Sequence, residues 1–182
     1  MRQWAQLPDD ERGEWVDGQL VEEEMPNHNH ELVLGLLVHA LISWAKRRGG
    51  FVFGSEAKYR VTSKRGRKPD IAVFLAKTRK PPLTGISTVP PTIAIEIISP
   101  SPRDVLRDRV HKLVEYAEFG VRYYWLVDPQ LRSLEIFELS AEKRFVHVLA
   151  GTDGIVRRVP GCPGLELDLD DIWSELDRLA KA

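Results

Sequence analysis

The sequence predicts an α/β (α+β) fold: a mixed central β-sheet flanked by helices, with a hairpin at its amino end. Three observations predict it. Thr92 to Ile98 is an almost unbroken apolar, β-branched run, the pattern of a strand buried on both faces. Tyr123-Tyr124-Trp125-Leu126-Val127 repeats that pattern. Segments with helical periodicity stand before and between these runs, so helices bracket a sheet.

The chain has 182 residues, 43% apolar and 29% charged. That composition excludes disorder, collagen and coiled coil, and the length predicts a single domain over residues 1–182. One cysteine, Cys162, permits no internal disulfide and no cysteine-rich zinc site. No apolar leader follows Met1 and no run of about 18 apolar residues occurs, so a soluble, cytoplasmic protein without a membrane partner is expected. The net charge of −1 gives the chain as a whole no pull on nucleic acid. The charge is segregated, however. Asp9, Asp10, Glu11, Glu14, Asp17, Glu22, Glu23 and Glu24 make the start acidic, and Lys58, Arg60, Lys64, Arg65, Arg67 and Lys68 make the middle basic.

Glu14 to Val21 reads as a hairpin turning at Asp17-Gly18. Asn27 or Asn29 caps a helix from about His30 to Arg48, ended by Gly49. Phe51 to Val61 reads as one strand, followed by the basic loop. Asp70 to Leu75 is a strand, and the proline-rich segment Thr78 to Pro91 is a loop. After the Thr92–Ile98 strand, Ser101 and Pro102 start a helix that runs to Phe119 and stops at Gly120. Tyr123 to Val127 is a buried strand closed by Asp128-Pro129. Leu134–Leu139 and Phe145–Leu149 form an antiparallel pair, and Asp170 to Ala182 is a terminal helix. Trp4, Trp44 and Trp173 are placed in the core or an interface.

Glu96 is the first chemical anomaly, because a carboxylate between β-branched neighbours costs several kcal/mol unless a cation, a hydrogen-bond network or a metal compensates it. Asp70, opening the neighbouring apolar strand, is the second. Two carboxylates on adjacent strands suit Mg²⁺. Asp108, Lys112 and Tyr116 follow at i, i+4 and i+8, one helical column at the edge of a stripe formed by Val105, Leu106, Val110, Leu113 and Val114. A lysine there can present its ammonium at the strand ends, or merely pair with Asp108. Glu14, with Glu31 as backup, and His30 complete the candidates. His30 is a phosphate or water contact or a polar helix start.

Lys68-Pro69-Asp70 followed by Glu96 is similar to the PD-(D/E)xK nuclease signature, although the usual lysine two positions after the glutamate is replaced by Ile98. A longer ordered set carries a more specific likeness. It comprises Gly13 to Val21, His30, Lys68 to Val73, Glu96 to Ser101, the Asp108-Lys112-Tyr116 column, Gly120-Val121 and Tyr124 to Pro129. This set resembles the Uma-two family of bacterial restriction endonucleases, long carried as a domain of unknown function, over roughly residues 8 to 175. Gln19 departs from it, standing where an acidic residue is usual. The resemblance implies a restriction-endonuclease-like core and a Mg²⁺-dependent phosphodiesterase site at Asp70, Glu96 and Lys112. It also implies an active-site lysine moved to the following helix, and Glu14 and His30 as companions.

The expected function is therefore a DNA endonuclease using Mg²⁺ or Mn²⁺ and no other small-molecule cofactor. Asp70 and Glu96 would bind the metal, Lys112 would act on the water or the developing charge, and Glu14, His30, Asp108 and Tyr116 would support them. Lys58, Arg60, Lys64, Arg65, Arg67 and Lys68 are the expected phosphate track, with Lys77, Arg79 and Lys80 as second choice. A homodimer would suit double-strand cutting. The rivals are a non-catalytic nucleic-acid-binding module and a structural protein in which Glu96 is an ion-paired core residue.

Overall fold

Alternating residues of one six-stranded sheet feed two separate apolar clusters, and this division positions the site. The computed structural model describes Trp4, Gln6, and residues 13–22 and 26–182. The acidic Asp9, Asp10, Glu11, Glu23 and Glu24 lie outside the described residues.

The strands are β1 (Glu14–Val16), β2 (Gln19–Val21), β3 (Phe51–Phe53), β4 (Tyr59–Arg60), β5 (Arg65–Arg67), β6 (Ile71–Phe74), β7 (Ile93–Ile97), β8 (Tyr123–Asp128), β9 (Ser133–Leu139), β10 (Phe145–Gly151), β11 (Ile155–Val156) and β12 (Leu167–Asp168). The large sheet has the order β10-β9-β8-β7-β6-β3. Only β7 and β8 run parallel in it, so the sheet is mixed. The intervening helix supplies the crossover that a parallel pair needs. A smaller sheet, β2-β1-β5-β4, carries the hairpin. Its turn has Asp17 at φ 50° and Gly18 at φ 91°, the double positive-φ geometry expected of Asp-Gly.

Helix α1 (His28–Lys46) is capped by Asn27, whose side chain accepts the His30 N–H. Its buried residues Val33, Leu37, Leu41 and Trp44 join Ile71, Val73, Ile93, Ile95, Ile97 and Trp125 in one cluster, together with α4 (Leu169–Ala180). The second cluster takes the alternate residues Ala72, Phe74, Ala94, Tyr124 and Leu126, with Tyr116 and Val121. Each fully buried aliphatic side chain contributes about 1.5–3 kcal/mol. Trp4, Trp44 and Trp173 are all core residues, and Cys162 is buried with its thiol pushed up to about 12 by burial.

Three expectations are corrected. Phe51–Val61 is not one strand: Gly54 and the turn after it split it into β3, in the large sheet, and β4, in the small one. The basic loop is largely the β4–β5 hairpin, whose register pairs Tyr59 with Arg67 and Arg60 with Gly66. The helix after Glu96 is not one regular α-helix. It consists of α2 (Pro102–Leu106), a π turn (Arg107–His111) and α3 (Lys112–Phe119). Its expected apolar stripe is also divided: Val105 and Leu113 pack against the second cluster, Leu106, Val110 and Val114 are exposed, and Asp108, Lys112, Glu115 and Tyr116 are buried. The polar column faces the sheet because the carboxylates of β1 and β7 meet it there. Gly120, at φ 95°, ends α3 as expected, its N–H bonding back to the Tyr116 and Ala117 carbonyls.

Candidate active site

Glu96 lies in β7 between β6 and β8, its side chain on the face that packs α3. Ile71 pairs with Ile95 across β6 and β7, so Asp70, one residue before β6, stands at the Glu96 end of the strand pair. The two predicted carboxylates thus come to neighbouring strand ends. Asp70 is held by its own neighbours. Its Oδ2 accepts the Ile97 N–H at 2.7 Å and lies 3.3 Å from His30 Nε2. Its Oδ1 carries no hydrogen bond or ion pair among the described residues.

Glu96 is 2% exposed. The Tyr116 hydroxyl donates to Oε1 at 2.7 Å, and the Lys112 ammonium lies 2.9 Å from Oε2. Lys112, itself 1% exposed, also lies 3.2 Å from Asp108 and 3.5 Å from Glu14. The alternative pairing of Lys112 with Asp108 is therefore present too, but inside a larger buried cluster. The π turn shapes this arrangement: the Tyr124 hydroxyl donates to the Asp108 carbonyl at 2.9 Å, anchoring the turn to β8.

The electrostatics follow from burial. Desolvation, reinforced by Asp70, Asp108 and Glu14, raises the Glu96 carboxyl well above its ordinary value against the opposing pull of Lys112. Desolvation opposes the charge on Lys112, but Asp108, Glu14 and Glu96 outweigh it and hold the ammonium well above the usual lysine range. Burial would raise Glu14 as well. Lys112, Arg67, Arg107 and the Lys68 N–H overcome it and bring Glu14 down to about 2. For His30, Asp70 and Glu31 overcome burial and raise the imidazole above its ordinary value. Around Lys112 the carboxylates of Glu14, Glu96 and Asp108 are met by three cations, Lys112 itself, Arg67 on Glu14 and Arg107 on Asp108.

The remaining candidates divide. Glu14 is buried in β1 with its oxygens taken by Arg67 (Oε2, 2.5 Å), the Lys68 N–H (Oε1, 3.0 Å) and Lys112. His30 braces Asp70, whereas His28 is exposed, so the two histidines do not form a metal pair. Glu31 is a surface residue whose carboxylate lies 3.4 Å from His30 Nδ1, without hydrogen-bond geometry.

Half of the expected phosphate track is interior. Arg67 is clamped by Glu115 and Glu14, Lys68 pairs with Glu56 at 2.7 Å, and buried Lys58 lies 5.8 Å from the centre of the Trp4 ring. Arg65 is half-buried between Asp17 and Glu115, while Arg60 and Lys64 are exposed. Of the second choice, Lys77 and Arg79 are exposed and Lys80 is tied to the Leu75, Ala76 and Thr78 carbonyls. Sequence reasoning missed Glu115 and treated Arg67 only as a surface cation. The available signal was strand alternation, which turns Arg65 and Arg67 to the same side, opposite Gly66.

Among the described residues no group of three or more His, Cys, Asp or Glu side chains is gathered as a metal-ligand cluster. Mg²⁺ asks for less, taking one or two carboxylates with water and phosphate oxygens. Hard carboxylate oxygens suit such an ion, and Asp70 Oδ1 has no hydrogen bond or ion pair among the described residues, while Glu96 would have to share oxygens that Tyr116 and Lys112 engage. No described helix is long and apolar enough to cross a membrane.

A family described as "Putative restriction endonuclease" (Uma2) matches residues 1–170. A solved structure described as a "putative nuclease belonging to DUF820" from Anabaena variabilis is similar at a TM-score of 0.74. It is 23% identical, over 96% of this chain and 97% of that chain. At that identity the likeness establishes the fold. No curated protein matches the sequence.

Proposed function

The chain belongs to the Uma2 family, and from that premise we propose that it is a Mg²⁺- or Mn²⁺-dependent DNA endonuclease that hydrolyses phosphodiester bonds, folded as a single domain. The observation that carries this reading is the Lys112 ammonium 2.9 Å from Glu96, at the strand ends where Asp70 also stands. A lysine beside two carboxylates is the donor set that phosphodiester hydrolysis needs: negative groups for a cation, and a fixed positive charge for the transition state.

Asp70 and Glu96 would hold the ion. When bound, it would polarise a phosphoryl oxygen and acidify a water. Lys112 neutralises charge developing on the phosphorus oxygens or orients the attacking water. Asp108 and Tyr116 fix Lys112 and Glu96, and His30 fixes Asp70. DNA is the substrate in this reading, and double-strand cleavage would pair two copies of the chain.

The rival is a nucleic-acid-binding module without turnover. The near-complete burial of Glu96 and Lys112 favours it. Calorimetric titration of Mg²⁺ and Mn²⁺ into wild type, Asp70→Ala and Glu96→Ala, with plasmid nicking on the same samples, decides between them. Binding and nicking that vanish together in folded variants support the enzyme. Metal binding without nicking of any DNA favours the module. Absence of metal binding in wild type rejects the metal site.

A further inference from the structure

A ladder of alternating charge leads from the hairpin to Lys112. Asp17 Oδ2 lies 2.7 Å from Arg65, and Arg65 lies 3.1 Å from Glu115 Oε1. Glu115 takes Arg67 bidentately, with Nε donating to Oε2 at 2.6 Å and an Nη2 hydrogen going to Oε1 at 2.8 Å. The other arm of the Arg67 guanidinium donates to Glu14 Oε2, and Glu14 Oε1 faces Lys112. Asp17 lies in the β1–β2 turn, the other groups come from β5, α3 and β1, and Arg67 is 2% exposed.

We propose that Arg67, clamped by Glu115, is a positioning residue that acts through Glu14 on Lys112. The planar fork suits that role, because one edge fills both oxygens of Glu115 while a remaining N–H aims Glu14 at the lysine. Lys112 has three N–H donors and three carboxylate partners, Glu96, Asp108 and Glu14. If Glu96 turns to another cation, Glu14 and Asp108 keep the ammonium in place. Glu14 is fixed for this by two anchors, the Lys68 N–H on Oε1 at 3.0 Å and Arg67 on Oε2, and of these only Arg67 is a side chain. Neither Arg67 nor Glu115 touches the reacting atoms.

The inference rests on Lys112 being the working cation of the proposed nuclease, and its test has an arm that needs no activity. Arg67→Lys keeps the buried charge and removes the fork. Trace acetylation of the free protein, read by mass spectrometry, reports how tightly Lys112 is held. Labelling of Lys112 is expected to rise at least threefold in Arg67→Lys while buried Lys58 stays at its wild-type level. In plasmid nicking, kcat is expected to fall about tenfold with KM within threefold. Unchanged Lys112 labelling in a folded variant overturns the inference, as does a rise shared equally by Lys58. Should Arg67→Lys fail to fold, Glu115→Gln is read by the same measurements and criteria. Wild-type protein that nicks no DNA overturns the nuclease reading instead, and the labelling arm still decides the positioning role.

Discussion

The Tyr116 hydroxyl donates to Glu96 Oε1 at 2.7 Å, inside a site where both residues are almost wholly withdrawn from water. Burial and the Glu96 charge push the phenol well above its ordinary range, so Tyr116 is a donor at any physiological pH. Tyr116→Phe deletes this bond and keeps the ring that packs on Tyr124 at a centroid distance of 5.3 Å. Leaving the buried Glu96 acceptor without its donor costs about 1–3 kcal/mol, so urea unfolding of Tyr116→Phe should show a loss of that order. A loss below about 0.5 kcal/mol would mean that Glu96 makes the bond with water instead.

Lys112 should dominate the stability of the site. Removing it leaves Glu14, Glu96 and Asp108 without their shared cation. Breaking a buried ion pair from one side costs about 3–5 kcal/mol. Lys112→Met should fall in that range by denaturant melts, whereas Lys64→Met, on an exposed residue, should change stability by less than about 0.5 kcal/mol.

This part of the site was legible because its signals are local. A carboxylate within a β-branched run announces its own cost, and Asp108, Lys112 and Tyr116 share a helical column. The orientation of that column was not legible. Hydropathy alone turns Leu106, Val110 and Val114 inward, but the helix presents Lys112 to carboxylates contributed by β1 and β7. Those partners are distant in sequence, as Glu14 is from Lys112. The π turn that phases Asp108 has no sequence signature. The fate of Arg67 was hidden for the same reason, since its partners Glu115 and Glu14 lie far from it on either side along the chain. Runs of basic residues read alike whether they face solvent or a buried carboxylate.

Acid should unfold the protein partly through Glu14. Its carboxyl sits at about 2, below the ordinary 4.5, because Lys112, Arg67 and Arg107 outweigh burial. A carboxyl lowered on folding stabilises fully above its unfolded value and stops doing so as pH falls through the folded one. The contribution at neutral pH is about 3 kcal/mol, lost between about pH 5 and pH 2. Glu96 runs the other way: its carboxyl is raised, so its contribution is present below about 4.5 and lost as pH rises. Urea unfolding from pH 7 down to pH 3 should therefore be less steep in pH for Glu14→Gln than for wild type, with Glu96 common to both. Equal slopes would place Glu14 outside the charge cluster.

Gly66 sits beneath the Trp4 ring. A Cβ added there would come 2.3 Å from Trp4 Cζ3, with further ring atoms at 2.6 and 2.8 Å. Gly66→Ala must displace the indole, whose Nε1 donates to the Gly13 carbonyl at 3.3 Å. Overpacking of this kind costs about 1–3 kcal/mol. Trp4→Ala should make Gly66→Ala nearly neutral, and a double-mutant cycle of melting free energies checks the coupling.

Nucleic-acid binding should depend on the exposed cations and not on the buried ones. Arg60 and Lys64 stand in water on the β4–β5 hairpin, whereas Arg67 and Lys68 are buried against Glu115, Glu14 and Glu56. Each phosphate contact removed lowers the slope of log K against log salt by about one. Arg60→Glu and Lys64→Glu should each weaken DNA binding at low salt and flatten that slope, with melting temperatures held near wild type. Fluorescence anisotropy with a duplex oligonucleotide across a salt series makes the measurement. If neither substitution changes the slope, DNA does not run along this hairpin, and Lys77 and Arg79, beyond β6, become the residues to reverse next.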